Sequence, residues 1–191
     1  MSSPDSIIEV QDNNGEYTMG STVNFFRLYP NTSPDKPWGI SYYKEGDYVN
    51  VTPEEDSPFQ VEFLSTLPEA LAGVSANAKQ ALLAQQSTVF IVDIMSDSNN
   101  DWRFWQDGII WTEEQNYYQY KITTERRNQG KTLVLTICNV VPTVTSLEGV
   151  DEDALDFRFS AIRFNPQAGG SLDQVFYSQD PIIVVKRPPA T

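Results

Sequence analysis

The segment Asp97-Ser98-Asn99-Asn100-Asp101 sets oxygen donors at alternate positions, which makes Asp97, Asn99 and Asp101 the calcium candidates of this chain. The pattern then breaks. The sixth position holds Trp102 where a tight calcium loop needs glycine, and the twelfth holds Gly108 where it needs a bidentate glutamate. An Asx-rich turn between two strands accounts for the same residues without a metal. Two acidic clusters, Glu54-Glu55-Asp56 and Asp151-Glu152-Asp153, fall in loop-like sequence. General acid–base work needs two carboxylates held at different pKa values, and neighbours on an exposed loop are merely solvated. Histidine is absent, which removes Ser–His–Asp and Cys–His catalysis, histidine metal sites and the usual near-neutral proton shuttle. The chain has no glycine-rich phosphate loop, paired CxxC or nucleophile elbow. The expectation is a protein that is not an enzyme and needs no cofactor.

Two further features suit contact rather than catalysis. Trp102, Trp105 and Trp111, with Phe104, Tyr117, Tyr118 and Tyr120, form the densest aromatic stretch. In a strand, Trp102 and Phe104 share one face and Arg103 and Trp105 the other, so aromatics fall on both. Core packing explains one set. An exposed set would anchor a subunit interface or stack on sugar rings, and Trp102, Trp105 and Tyr118 are the interface candidates. Cys138 is the only cysteine, so no intramolecular disulfide forms. It sits in the apolar run Thr132–Val141, where alternation suggests an inward, inert thiol. The alternative is an intermolecular disulfide joining two copies.

The charge restricts partners. With 26 acidic and 13 basic residues the net charge is −13. Nucleic-acid binding depends on Lys and Arg displacing counterions, so nucleic acid is excluded as a partner, and anionic membranes are disfavoured. Arg126, Arg127 and Lys131 bracket a turn and read as solvated residues. The same charge keeps copies apart at low salt. No run approaches the roughly 18 apolar residues of a membrane span, and the start, Met1–Asp12, has no apolar leader. An intracellular location is expected.

These residues must be positioned mainly by strands. Phe59–Leu64 alternates Phe59, Val61 and Phe63 against Gln60 and Glu62. Leu155–Phe164 does the same with Leu155, Phe157, Phe159 and Ala161. Thr88–Met95 is nearly all apolar and suits a central strand. Tyr117–Glu125 and Thr132–Val141 flank a turn containing Asn128 and Gly130. The exception is Ala76–Gln86, rich in helix formers and capped by Ser75. Roughly eight to eleven short strands and one short helix predict an antiparallel β-sandwich with Greek-key or immunoglobulin-like connections, with a closed barrel as the alternative. No composition break divides residues 1–191, so one domain with a short tail at 187–191 is expected.

The C-terminal third resembles a known family. Phe157-Arg158-Phe159-Ser160-Ala161-Ile162, a glycine-containing turn, and Val175-Phe176-Tyr177 running into Asp180-Pro181-Ile182-Ile183-Val184 are similar to the end of the AidA/PixA inclusion-body proteins. The resemblance implies a β-sandwich that accumulates as ordered inclusions or crystals, with no enzymatic activity. The chain is therefore expected to be a structural protein whose main partner is itself, in a homo-oligomer or lattice. A carbohydrate- or ligand-binding module is the second hypothesis.

Overall fold

The computed structural model describes residues 10–13, 16–19, 21–33, 35–51, 58–97, 100–112, 120–140, 152–164, 172–179 and 181–186. In chain order the strands are β1 (Val10–Asn13), β2 (Glu16–Met19), β3 (Ser21–Tyr29), β4 (Gly39–Lys44), β5 (Asp47–Asn50), β6 (Phe59–Glu62) and β7 (Ser87–Ile94). They continue with β8 (Asp101–Trp111), β9 (Tyr120–Arg127), β10 (Thr132–Asn139), β11 (Glu152–Phe164), β12 (Leu172–Tyr177) and β13 (Ile182–Lys186). One helix, α1 (Ala76–Leu83), follows Ser75, whose hydroxyl accepts from the Ala78 N–H and caps it.

Two mixed sheets face each other across one apolar core. The first has the order β5–β4–β3–β7–β10–β9. The second runs β12–β11–β13–β6, with β8 on β11. Among the described residues β1 and β2 pair only with each other. Phe59 on β6 shows why the layers hold together. Its ring lies 4.5 Å from Phe26 and 5.6 Å from Phe90 on the first sheet, and 5.7 Å from Phe157 on the second. Leu133, Leu135 and Ile137 of β10 and Leu155, Phe157 and Phe159 of β11 are fully enclosed from opposite sides. These are the alternating apolar positions that the strand period turns inward. Among the described residues no strand pairing joins the two sheets, so the arrangement is a sandwich and not a barrel.

The sheets are mixed where uniform antiparallel pairing was expected: β3 runs parallel to β7, and β6 parallel to β13. Parallel neighbours need a crossover through other elements. Alternation within a strand carries no trace of that. Two turns are explained by local residues. Glu45 and Gly46 both adopt positive φ between β4 and β5, the conformation of a tight hairpin turn whose twist matches the strands. In β8, Phe104 pairs with Ala161 and Ile109 with Phe159, so Trp105, Gln106, Asp107 and Gly108 all lie opposite Ser160. This bulge needs positive φ at Gln106 and Gly108. A side chain at Gly108 would sit 2.5 Å from Leu133 Cδ1.

Candidate interaction surfaces

The sequence-derived contact residues are scattered. Trp102 is not available for contact: it is 3 % exposed, 6.1 Å from the Trp38 ring and 5.2 Å from Phe176. It belongs to the core because its face of β8 is shared with Phe104, which packs on Phe159. Trp105 lies in the bulge, half-buried, and its carbonyl accepts from the Ser160 hydroxyl at 2.9 Å. Tyr118 lies outside the described residues. Cys138 is not inward. It is half-buried on the outer face of the first sheet, opposite Ser87 on one side and Lys121 on the other. The run Thr132–Val141 is apolar at both parities, and the enclosed parity is that of Leu133, Leu135 and Ile137.

The calcium candidates are committed elsewhere. Asp97 accepts from the backbone N–H and the amide of Asn100 at 2.8 and 3.0 Å, closing an Asx turn. Asn99 lies outside the described residues. Asp101 bonds Arg103 at 2.7 Å and Lys131 at 2.9 Å, which bolts the start of β8 to the β9–β10 turn. Partial burial raises the pKa of the Asp101 carboxyl, but the hydrogen bonds and charges of Lys131 and Arg103 outweigh it and hold the group below its ordinary value. Among the described residues no three acidic, cysteine or histidine side chains gather as a metal site. Residues 54–56 and Asp151 lie outside the described residues, and Asp153 accepts a hydrogen bond from the Tyr120 hydroxyl. No helix among the described residues is long and apolar enough to cross a membrane.

The structure gathers a different set. On the outer face of the first sheet, register lines up Glu125, Val134, Ile91 and Phe25 across β9, β10, β7 and β3. The line continues through Tyr43, whose ring meets Phe25 edge-on at 6.4 Å, to Tyr48 at 5.3 Å from Tyr43. Thr123, Thr136, Val89 and Val23 form the adjacent row. The result is an apolar belt across the sheet in which Val23, Phe25 and Tyr43 are 48 %, 44 % and 45 % exposed. Next to it, the Arg27 guanidinium stacks 3.7 Å over the Tyr48 ring. The strand period puts Val23, Phe25 and Arg27 on one side of β3. Which side faces solvent is decided by Phe26 and Leu28, which enter the core.

A second feature is a groove of about 710 Å³ between β12 and the loop joining β3 to β4. Its wall is fixed. The Gln179 side-chain amide accepts from the Trp38 N–H at 2.9 Å and donates to the Trp38 carbonyl at 3.0 Å. The Trp38 indole N–H donates to the Asn31 carbonyl at 3.0 Å.

A family model for the DP-EP family matches residues 5–187, nearly the whole chain including both sheets. The chain belongs to the DP-EP family. This overturns the AidA/PixA resemblance. Its motif covers β11, β12 and β13, an antiparallel closing arrangement that unrelated β proteins can share. The expectation of inclusions loses the support that came with it. Comparison with curated proteins and with solved structures gave no match.

Proposed function

We propose that this DP-EP family member is a non-enzymatic structural protein that associates with further copies of itself through the outer face of the six-stranded sheet. The observation that carries the reading is the apolar belt of Val23, Phe25, Tyr43, Val89, Ile91 and Val134. A sheet face turned to water ordinarily alternates to polar residues, and contiguous exposed apolar surface marks an interaction site. Charge supports the choice of partner. The chain carries −13 overall, so most approaches between copies are repulsive. The belt is flanked by Arg27, Lys121 and Arg127 against Asp93 and Glu125, three cations to two anions. Two such faces can meet without stacking like charges, and sheet-on-sheet packing at about 10 Å is the ordinary geometry for them. Cys138 lies on the same face and offers a covalent link under oxidising conditions. A reducing intracellular setting fits a chain with one unpaired cysteine.

The test is solution mass against concentration, at low and moderate salt and with and without reductant. Association should strengthen as salt screens the shared charge. A mass of one chain under every condition would remove the proposal.

A further inference from the structure

We infer that the groove between β12 and the loop joining β3 to β4 binds a neutral carbohydrate, with the Tyr177 ring as the platform on which a sugar unit lies. The groove is open because β12 pairs with β11 on one side and, among the described residues, with no strand on the other. Its volume of about 710 Å³ falls within the roughly 300–1,000 Å³ of small-molecule sites. Its wall is built before any ligand enters. The Gln179 amide holds both backbone groups of Trp38. The Asn31 side chain accepts from the Ser33 N–H at 2.9 Å, and the Lys36 N–H donates to the Ser33 carbonyl at 3.2 Å. A wall fixed in this way loses little conformational entropy on binding.

Three observations choose the ligand class. First, an aromatic face is available. Phe176 packs inward on Trp102 at 5.2 Å, so its neighbour Tyr177 points the other way along the strand. Tyr177 lines the groove and is 48 % exposed. Among the described residues its ring meets no other ring and no cation. Second, the groove is balanced in charge. Arg158 is already engaged within the chain. That leaves Lys36 and Asp35, one of each sign, among the described lining residues. A charged ligand is attracted by one and repelled by the other. Third, donors and acceptors stand side by side. The Lys36 ammonium only donates, the Asp35 carboxylate only accepts, and Thr32 and Gln174 do both. An apolar ligand would strip water from these groups without replacing its hydrogen bonds. A pyranose satisfies all three conditions. One face of its ring carries C–H groups that rest on the negative face of an aromatic ring. Its rim carries hydroxyls that each donate and accept, and it has no charge. The stacking residue is then Tyr177 and not a tryptophan of β8. The site lies on the sheet opposite the apolar belt, so it stands or falls independently of self-association.

The experiment is ligand-observed NMR of the whole protein with neutral hexasaccharides of glucose, mannose, galactose, xylose and N-acetylglucosamine, and with hexagalacturonate as the acidic counterpart. A neutral hexasaccharide should bind with a dissociation constant below about 5 mM, and hexagalacturonate at least about tenfold more weakly. Tyr177→Ala should weaken the bound sugar at least about tenfold, while Tyr177→Phe, which keeps the ring, should hold it within about twofold. Because the ring is half in water, both variants should keep the unfolding temperature of the parent. If Tyr177→Ala does not fold, Asp35→Ala decides the matter, with an expected loss of at least about fivefold. The inference is overturned if no neutral hexasaccharide binds at about 10 mM, or if hexagalacturonate binds as tightly as the best neutral sugar. It is equally overturned if Tyr177→Ala binds that sugar as well as the parent does.

Discussion

Replacing Phe25 and Tyr43 together by serine tests the apolar belt. Their rings are 44 % and 45 % exposed in the single chain. An aromatic side chain presents roughly 150–250 Å², which leaves roughly 65–110 Å² of each ring open to a partner. At about 25 cal/mol per Å², covering one ring contributes roughly 2 kcal/mol. A symmetric pair of chains covers four such rings, for a gross gain of roughly 8 kcal/mol. Association entropy and desolvation offset part of this. If half survives, the double variant weakens dimerisation by roughly 4 kcal/mol, about three decades in the dissociation constant. Because the rings are already half in water, stability of the single chain should fall by only about 1 kcal/mol. Sedimentation velocity across a concentration series reads the first effect and urea denaturation the second. A folded double variant that associates as strongly as the parent refutes the reasoning, because the proposed contact is built on these two rings.

Four further outcomes follow from the fold. Trp102→Ala should destabilise by about 3–5 kcal/mol on urea denaturation, the signature of a core position and not of an interface. Gly108→Ala should cost about 2–4 kcal/mol, since it combines positive φ with a side chain driven into Leu133; thermal unfolding measures it. Gln179→Leu strips the Trp38 backbone of both partners and should destabilise by about 1–3 kcal/mol, with a change in tryptophan emission as the loop loosens. The folded pKa of Asp101 is depressed, so its contribution is complete above the ordinary carboxylate range and is lost as pH falls through the folded value. Both partners are partly exposed, so the contribution is at most about 1 kcal/mol. Asp101→Asn should destabilise by that amount at pH 7 and by nearly nothing well below pH 3, read from paired denaturation curves.

Strands with one clean apolar parity were legible from the sequence. β11 reads correctly because Leu155, Phe157 and Phe159 alternate with polar residues, and β6 reads correctly for the same reason. Legibility failed where both parities are apolar. Cys138 was turned inward because β10 is greasy on both faces, and the reason for that greasiness is the outer belt, in which Val134 takes part. The belt itself was invisible, because its residues come from strands far apart in the chain and meet only through register. The parallel neighbours β3 and β7 are the strongest case. The aromatic density at 102–111 drew attention to Trp102, and burial reversed its meaning. The β12 groove needed both an unpaired edge and a loop held by a distant glutamine, neither of which has a local signal.

The most direct test of the central claim is hydrogen exchange of the parent protein at low and high concentration, with mass measured in parallel. Self-association predicts rising mass together with slower exchange confined to the strands of the belt, β3, β4, β7 and β10. Mass that stays at one chain, with exchange in those strands unchanged, would contradict it.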